Sequence, residues 1–331
     1  MNEIINEELK ITNEWDKTFK KDEAVNHKKV TFVNRFNITL VADMYTPKNY
    51  KGKLKALAVA GPFGAVKEQV SGRYAQEMAK RGFLAIAFDP SFTGESGGGL
   101  RHMSSPDINT EDFQAAVDYL SGLDEVDENH IGIIGICGWG GMALNATSND
   151  PRIKVTVTST MYDMSNNYQT GYNHVNDNEE ARYQARLNIA KQRTIDYKNK
   201  NHAFAGGLPT MEEAIKLSLP QFVKDYVAYY KNPNRGYHPR GVASNEGWSI
   251  IGGNSFYVTK LNQYLGEIRS AVLLVHGENA HSRFYSEEAF KQLKGDNKEL
   301  YIVKDAVHCD LYDNMEKIPF DKIEKFIKEH I

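Results

Sequence analysis

The chain of 331 residues has only two cysteines, no surplus of charge of either sign and no long apolar run. Two cysteines are too few to hold such a chain together by disulfides, and neither lies in a paired C-x-x-C arrangement that binds zinc. A formal net charge of -3 argues against nucleic acid as a partner, because phosphate-binding surfaces are usually basic. We therefore expect no nucleic acid, no metal and no cofactor.

The sequence also lacks signals for export and membrane insertion. Its first ten residues, MNEIINEELK, contain no basic start followed by an apolar stretch, as a secretory signal would. No apolar run approaches the roughly 20 residues that a membrane-spanning helix needs. We therefore expect a cytoplasmic protein with no membrane partner. The sequence leaves the oligomeric state open, with a homodimer as one option.

Short apolar runs alternate with amphipathic helical patterns along most of the chain. This alternation is typical of a mostly parallel sheet flanked by helices, so we predict an α/β fold. The predicted strands are residues 30–36, 38–47, 56–60, 83–88, 131–136, 155–161, 271–276 and 300–303. The first two should form an antiparallel pair, whereas several of the others are continuous apolar runs suited to burial on both faces of a sheet.

Two helices between these strands have well-marked apolar faces. The residues at helical spacing are Tyr74, Ala75, Met78 and Ala79 in the first helix, and Phe113, Ala116, Val117 and Leu120 in the second. Acidic side chains complement the dipole at a helix N-terminus, so Glu111 and Asp112 predict the start of the second helix.

The alternation stops between residues 162 and 265, where the chain is polar, aromatic-rich and mainly helical in pattern. Thr210 and Glu213 form a capping-box signature for a helix there. The flanking parts complete each other's alternation, so we predict one core domain, residues 1–161 and 266–331, interrupted by a helical cap insertion at 162–265. Candidates for lining a pocket under the cap are Tyr168, Tyr172, Tyr226, Tyr229, Tyr230, Tyr237, Trp248, Phe256 and Tyr257.

The strongest chemical signal is the motif GICGWGG at residues 135–141, between a predicted strand and a helix-forming run. A nucleophile on such a sharp turn is exposed, and its neighbours must be small. Cys137 is therefore the predicted nucleophile, and the dipole of the following helix should favour its thiolate. The amide of Gly138 should face a developing oxyanion. Trp139 replaces the second glycine of the G-x-S-x-G pattern, and its indole should lie near the nucleophile.

A histidine follows the last predicted strand. From that position His308 can reach back to the nucleophile, take its proton and return it to the leaving group. The neighbouring Cys309 is interpreted as structural. The order of nucleophile before histidine along the chain agrees with a nucleophile elbow.

Five motifs follow one another in a recognisable order: GPFGAVKEQ, DPSFTGESGG, GICGWGG, HGENAHSRFYSEEAF and AVHCDLYD. With these motifs the chain resembles the α/β-hydrolase superfamily, in particular its dienelactone-hydrolase-like branch. It is most similar to a group of bacterial hydrolases with a GPFGxVKEQ-like loop. The likeness runs from about residue 30 to the C-terminus, and it implies an α/β-hydrolase fold with a Cys-His-acid triad.

In this fold the loop after the early central strand supplies a second oxyanion donor. Pro62 has no N–H, so the amide of Phe63 is the predicted donor. The carboxylate that completes the triad is harder to identify, because Ala280 stands where related enzymes commonly have an aspartate. Glu278 is the first choice, since it is the nearest carboxylate, and Asp163 at the end of the preceding strand is the alternative.

Three functions remain open on the sequence. The preferred one is hydrolysis of an ester, lactone or thioester in a small-molecule acyl substrate through a covalent acyl-enzyme. The second is an acyltransferase, cyclase or lyase of a biosynthetic pathway that uses the same triad. The third is a catalytically silent scaffold that binds a ligand, which Ala280 and Trp139 favour.

Overall fold

The computed structural model of the protein describes residues 8–331. Its strands are β1 (Val25–Val33), β2 (Thr39–Pro47), β3 (Leu54–Ala60), β4 (Leu84–Phe88), β5 (Val126–Ile136), β6 (Ile153–Ser159), β7 (Phe204–Gly206), β8 (Gly247–Ser249), β9 (Ala271–Gly277) and β10 (Lys298–Val303). Its α-helices are α1 (Val70–Lys80), α2 (Pro106–Ser121), α3 (Gly138–Asn149), α4 (Met164–Thr170), α5 (Glu179–Asn199), α6 (Met211–Lys216), α7 (Gln221–Tyr230), α8 (Val242–Asn245), α9 (Arg283–Gln292), α10 (Asp310–Asp313) and α11 (Phe320–His330). Short 3-10 helices cover Tyr172–His174, Ile250–Tyr257 and Leu265–Glu267.

Eight strands form one sheet in the order β1-β2-β4-β3-β5-β6-β9-β10. β2 pairs antiparallel with both β1 and β4, and the remaining neighbours pair in parallel. The predicted α/β fold and the opening antiparallel pair are therefore confirmed. The chain leaves this sheet after β6 and returns at β9, and the intervening residues contain a separate small sheet of β7 and β8.

Helices pack on the sheet around two large apolar cores. One core includes buried residues of α1 and α11, and the other includes buried residues of α2 and α3. The predicted apolar faces of α1 and α2 are confirmed, since Met78 and Phe113 are fully buried. Each large apolar side chain buried in this way contributes about 1.5–3 kcal/mol. The two cores therefore hold the carboxyl ends of the parallel strands in fixed positions.

The predicted start of α2 is wrong. The helix begins one turn and more before Glu111, because Ser105 caps it and Pro106 occupies its first position. Asp112 lies within the helix, fully buried, and accepts hydrogen bonds from the side chains of Ser91 and Asn34. Its carboxylate thus joins α2 to the loop after β4 and does not cap a helix.

The segment between β6 and β9 is mostly helical. The capping box of Thr210 and Glu213 is confirmed at the start of α6. Tyr226, Tyr229 and Tyr230 belong to the separate helix α7. Among residues 8–331, no helix is both long and apolar enough to cross a membrane.

Candidate active site

Cys137 occupies a strained turn between the end of β5 and the start of α3. Its backbone has φ 56° and ψ -128°, in a region that residues with a Cβ rarely adopt. The turn requires small neighbours: a Cβ on Gly135 would lie 2.3 Å from the carbonyl oxygen of Trp139, and one on Gly140 would lie 2.3 Å from the Cβ of Met161. This geometry is that of a nucleophile elbow.

The sequence suggested that the indole of Trp139 lies near the sulfur of Cys137, but the structure places it elsewhere. It is buried on the opposite side of the turn, where its ring contacts those of Phe88 and Phe113 in the core beneath α2 and α3. The bulky residue is tolerated at this position because its side chain enters that core. The departure from the G-x-S-x-G pattern therefore leaves the space around Cys137 free.

Two backbone amides reach the sulfur of Cys137, one from Phe63 and one from Gly138. The loop of Phe63 approaches the elbow closely, since a Cβ on Gly61 would lie 2.2 Å from the carbonyl oxygen of Ile136. Burial raises the pKa of the Cys137 thiol, and this effect outweighs the hydrogen bonds from Tyr312 and the two amides, which lower it. The expected thiolate is therefore not the resting form.

A buried ion network anchors the loop that carries Phe63. The ammonium of Lys67 lies 2.7 Å from carboxylate oxygens of Glu68, Asp89 and Glu95, and all four side chains are almost fully buried. The three carboxylates are close enough together to hold a metal ion, but the ammonium group already lies within hydrogen-bonding distance of each. Lys29 of β1 also contacts Glu95 in this network, and Arg240, from the segment between β6 and β9, adds a third cation 2.8 Å from Glu68.

The charges of this network support one another. Burial alone would raise the pKa of Glu68, but the neighbouring charges of Lys67 and Arg240 outweigh it and lower that pKa well below its usual range. Burial likewise opposes the charge on Lys67, yet the surrounding carboxylates raise its pKa. Both groups therefore remain ionised inside the protein, and the loop is fixed at its base.

His308 lies in the loop between β10 and α10 and is almost fully buried. Its Nδ1 lies 2.6 Å from the hydroxyl oxygen of Ser282 and 2.8 Å from that of Thr160. Its Nε2 lies 3.0 Å from the hydroxyl oxygen of Tyr312. Burial lowers the pKa of His308 well below 6.5, and the nearby His281 and His276 act in the same direction. The resting imidazole is therefore neutral.

Neither predicted acid lies next to His308. The Glu278 carboxylate accepts a hydrogen bond of 3.0 Å from the amide of Asp305 at the edge of the molecule. Asp163 caps α4 through the amide of Asn166 and accepts a second hydrogen bond from Asn262. The structure thus brings Cys137, Phe63, Gly138 and His308 into one site but leaves Glu278 and Asp163 outside it.

Serine hydroxyls and a second histidine lie where an acid was expected. His276, at the end of β9, has its Nε2 2.9 Å from the Ser282 hydroxyl and its Nδ1 2.6 Å from that of Ser286. Burial lowers the pKa of His276 to about 3. The sequence offered one signal for this cluster, since both serines lie in the HSRFYS run shortly after the strand.

A cavity of about 190 Å³ opens above Cys137. Most of its wall is apolar, and its aromatic lining residues are Phe63, Tyr162, Tyr226, Tyr230, Trp248 and Tyr312. Of the nine aromatic residues proposed from the sequence for the cap, only Tyr226, Tyr230 and Trp248 reach it. No Asp, Glu, Lys or Arg within residues 8–331 lines the cavity.

The fold and this site define the class of the protein. A nucleophile elbow after a central strand, facing a histidine after the last strand, is the arrangement of an α/β hydrolase. The structure matches that of the α/β hydrolase GrgF from Penicillium sp. sh18 with a TM-score of 0.72, at 17% identity and covering 92% of this chain and 99% of that one. Within this class, residues 37–310 match the model of the X-Pro dipeptidyl-peptidase (S15) family. The chain belongs to that family.

Two relatives extend the comparison. The uncharacterized protein PA2218 from Pseudomonas aeruginosa is 51% identical over 328 residues, which cover 98% of this chain and 86% of that protein. The crystal structure of PA2218 has a TM-score of 0.93, at 50% identity and covering 98% of this chain and 100% of that chain. A stretch of 103 residues is 34% identical to the thiohydrolase aneE from Aspergillus aculeatus and covers 31% of this chain and 32% of that protein.

Proposed function

We propose that the protein hydrolyses ester, lactone or thioester bonds of uncharged acyl compounds, with Cys137 as its nucleophile. The observation that carries the proposal is the position of the Cys137 sulfur. It lies on a strained elbow, faces an aromatic cavity and receives hydrogen bonds from two backbone amides. These three features together are what acyl transfer to a protein nucleophile requires.

In the proposed reaction the sulfur attacks the acyl carbonyl carbon while His308 takes up the thiol proton. The carbonyl oxygen becomes an oxyanion, which the amides of Phe63 and Gly138 stabilise. Collapse breaks the bond to the leaving group, which receives the proton back, and leaves an acyl-thioester on Cys137. Water then attacks this thioester with His308 as the base, and the thiol is regenerated.

The choice of nucleophile departs from the family. Enzymes of the S15 family are serine-based, whereas the elbow of this chain carries Cys137. A cysteine at this position is the feature that the chain shares with dienelactone hydrolases, and membership of that branch stays a prediction. The name thiohydrolase, borne by the relative aneE, supports a thioester as one substrate class.

The cavity favours acyl compounds over peptides. A dipeptidyl-peptidase must bind the ammonium group at the N-terminus of its substrate, for which a carboxylate is the usual partner. No acidic side chain of the described chain lines the cavity above Cys137. Aromatic walls suit an apolar or aromatic acyl group. We propose that the segment between β6 and β9 acts as the cap that supplies Tyr226 and Trp248 to this wall.

Transfer of the acyl group to an acceptor other than water is the second candidate. It uses the same acyl-enzyme, and the apolar cavity favours it by limiting access of water to the thioester. Product analysis with and without alcohol, amine and thiol acceptors separates the two reactions. Accumulation of an acylated acceptor in place of the free acid would identify a transferase or cyclase.

The test uses p-nitrophenyl esters and acyl thioesters of graded chain length. We expect turnover by the natural protein, none above background by Cys137→Ala, and an acyl adduct on Cys137 in intact-protein mass spectra. Cys309→Ala is the matched control, because it removes the other buried thiol of the chain and should retain turnover. Equal hydrolysis by the natural protein and Cys137→Ala would contradict the proposal.

A further inference from the structure

Both ring nitrogens of His308 contact hydroxyl groups. The Nδ1 atom contacts the hydroxyls of Ser282 and Thr160. The Nε2 atom is 3.0 Å from the hydroxyl oxygen of Tyr312, a residue that lines the cavity. On its catalytic side the proposed base therefore contacts a phenol.

Tyr312 also contacts the nucleophile. Its hydroxyl lies close enough to the Cys137 sulfur to lower the pKa of the thiol, and both residues line the same cavity. Tyr312 is fully buried. The Tyr312 oxygen thus connects the sulfur to the imidazole.

From these contacts we infer that Tyr312 is a catalytic residue that carries the proton between Cys137 and His308, an inference that rests on the function proposed above. A hydroxyl can donate one hydrogen bond and accept two. In the proposed resting state Tyr312 donates to Nε2 of His308 and accepts from the thiol of Cys137. Once the thiol proton has left, the same hydroxyl donates to the sulfur, which agrees with its lowering the pKa of Cys137.

The hydrogen-bond network at Nδ1 of His308 is compatible with a neutral imidazole whose Nε2 is an acceptor. With a proton on Nδ1, His308 donates to the Ser282 hydroxyl, which donates in turn to Nε2 of His276. His276 then donates from its Nδ1 to Ser286. We assign the protons in this direction as part of the proposal, with the Thr160 hydroxyl as a second acceptor at Nδ1. This assignment leaves Nε2 of His308 as an acceptor, which is the state that a base requires.

Proton and electron transfer balance in this path. As the sulfur lone pair forms the S–C bond, the thiol proton moves to the Tyr312 oxygen and the phenolic proton moves to Nε2 of His308. The products are a neutral Tyr312, an imidazolium and an oxyanion on the substrate. Collapse returns the proton by the same path to the leaving group. Burial raises the pKa of Tyr312 well above 10, so a free phenolate is avoided and the two transfers are concerted.

A water molecule is not needed between the two catalytic groups, because the phenol already fills that position. A merely structural role for Tyr312 would instead rest on its ring, which packs against the rings of Tyr229 and Tyr230. Removing only the hydroxyl separates the two roles, since phenylalanine keeps those ring contacts.

The test compares Tyr312→Phe with the natural protein in single-turnover acylation by a p-nitrophenyl ester. We expect the acylation rate to fall by about 100-fold or more, as for loss of a proton-transfer group, with KM little changed. Tyr229→Phe is the matched control: it removes a phenolic hydroxyl from the neighbouring buried ring, which does not line the cavity, and should acylate normally. A Tyr312→Phe variant that acylates at the natural rate overturns the inference.

A second measurement needs no variant. Acylation rates of the natural protein in mixtures of light and heavy water should depend on the deuterium fraction along a curve, because two protons move together. A straight line, which indicates one moving proton, overturns the relay even if Tyr312→Phe fails to fold. The outcomes remain distinguishable from failure of the proposed function, in which Cys137→Ala would retain hydrolysis.

Discussion

The side chain of Cys137 is a buried neutral thiol beside a buried neutral imidazole. Burial raises the pKa of the thiol and lowers that of His308, so the two shifts oppose a thiolate–imidazolium pair at rest. In the proposed reaction the sulfur therefore loses its proton as it attacks the substrate. We accordingly expect its reactivity to depend on an acyl group bound between the amides of Phe63 and Gly138.

This state predicts how Cys137 reacts with iodoacetamide in the absence of substrate. A free cysteine has a pKa near 8.5, and the raised pKa of Cys137 leaves less thiolate at neutral pH. We expect alkylation at pH 7 to be slower than that of free cysteine and to keep rising above pH 9. Labelling would be followed by mass spectrometry in the Cys309→Ala variant, whose remaining cysteine is Cys137. A labelling rate that no longer rises above pH 7 would contradict the expectation.

At the scale of single residues, the parts of the site that depend on local chain geometry could be predicted from the sequence. Cys137 and Gly138 follow from the glycines of the elbow, and Phe63 follows from the absence of an amide on Pro62. The contacts of Tyr312, Ser282 and His276 could not, because they depend on how separate elements pack against one another. One local signal existed: Tyr312 lies four residues after His308, a spacing that places two side chains near each other on a helical turn.

At the scale of elements, the loop after β3 is held by a buried ion network in addition to its apolar contacts. Lys67 contacts three buried carboxylates, so its removal would leave uncompensated negative charge inside the protein. Breaking a buried ion pair in this way costs about 3–5 kcal/mol. The amide of Phe63, the proposed oxyanion donor, lies in the same loop as Lys67 and should be displaced by the same change.

We therefore expect Lys67→Ala to lower the free energy of unfolding by about 3–5 kcal/mol in urea titrations. Lys80→Ala is the control on the nearby helix α1, because Lys80 pairs with Glu77 and Asp22 at the surface with its side chain 35% exposed. Exposed pairs contribute at most about 1 kcal/mol. Equal losses in the two variants would show that the buried network does not stabilise the fold.

The elements themselves were largely predictable, since apolar runs and helical stripes recur at the spacing of a parallel sheet. The residues at which these elements begin and end were less predictable. The start of α2 was misplaced because Glu111 and Asp112 were interpreted as dipole partners, although Ser105 and Pro106 carry the stronger capping signal. Glu278 was wrongly chosen as the acid for a related reason. Its position in the sequence does not show where its side chain points, and its carboxylate accepts a hydrogen bond from the amide of Asp305.

For the whole molecule, the histidines near the site link stability to pH. Burial lowers the pKa of His276 to about 3 and that of His281 to about 4, against 6.5 when unfolded. Between these values the unfolded chain binds protons that the folded protein does not. Stability should therefore fall as the pH is lowered below 6.5, by up to about 1.4 kcal/mol per pH unit for each such histidine.

Urea unfolding at pH 7, 6 and 5 tests this linkage. We expect the free energy of unfolding to fall toward pH 5 in the natural protein and to fall less steeply in His281→Gln. The difference in slope should approach about 1.4 kcal/mol per pH unit. His330→Gln is the control, since that side chain lies at the exposed C-terminal end of α11. Parallel slopes for the natural protein and His281→Gln would contradict the linkage.

The pairing of Arg240 with Glu68 ties the two sides of the cavity together. Arg240 lies in the segment between β6 and β9, whereas Glu68 belongs to the loop that presents the amide of Phe63, and a backbone hydrogen bond from Ser244 to Gly64 runs beside this ion pair. Moving that segment away from the loop to admit a bulky substrate would break both the ion pair and the hydrogen bond. Under the function proposed above, closure of the cavity and positioning of the Phe63 amide would therefore occur together.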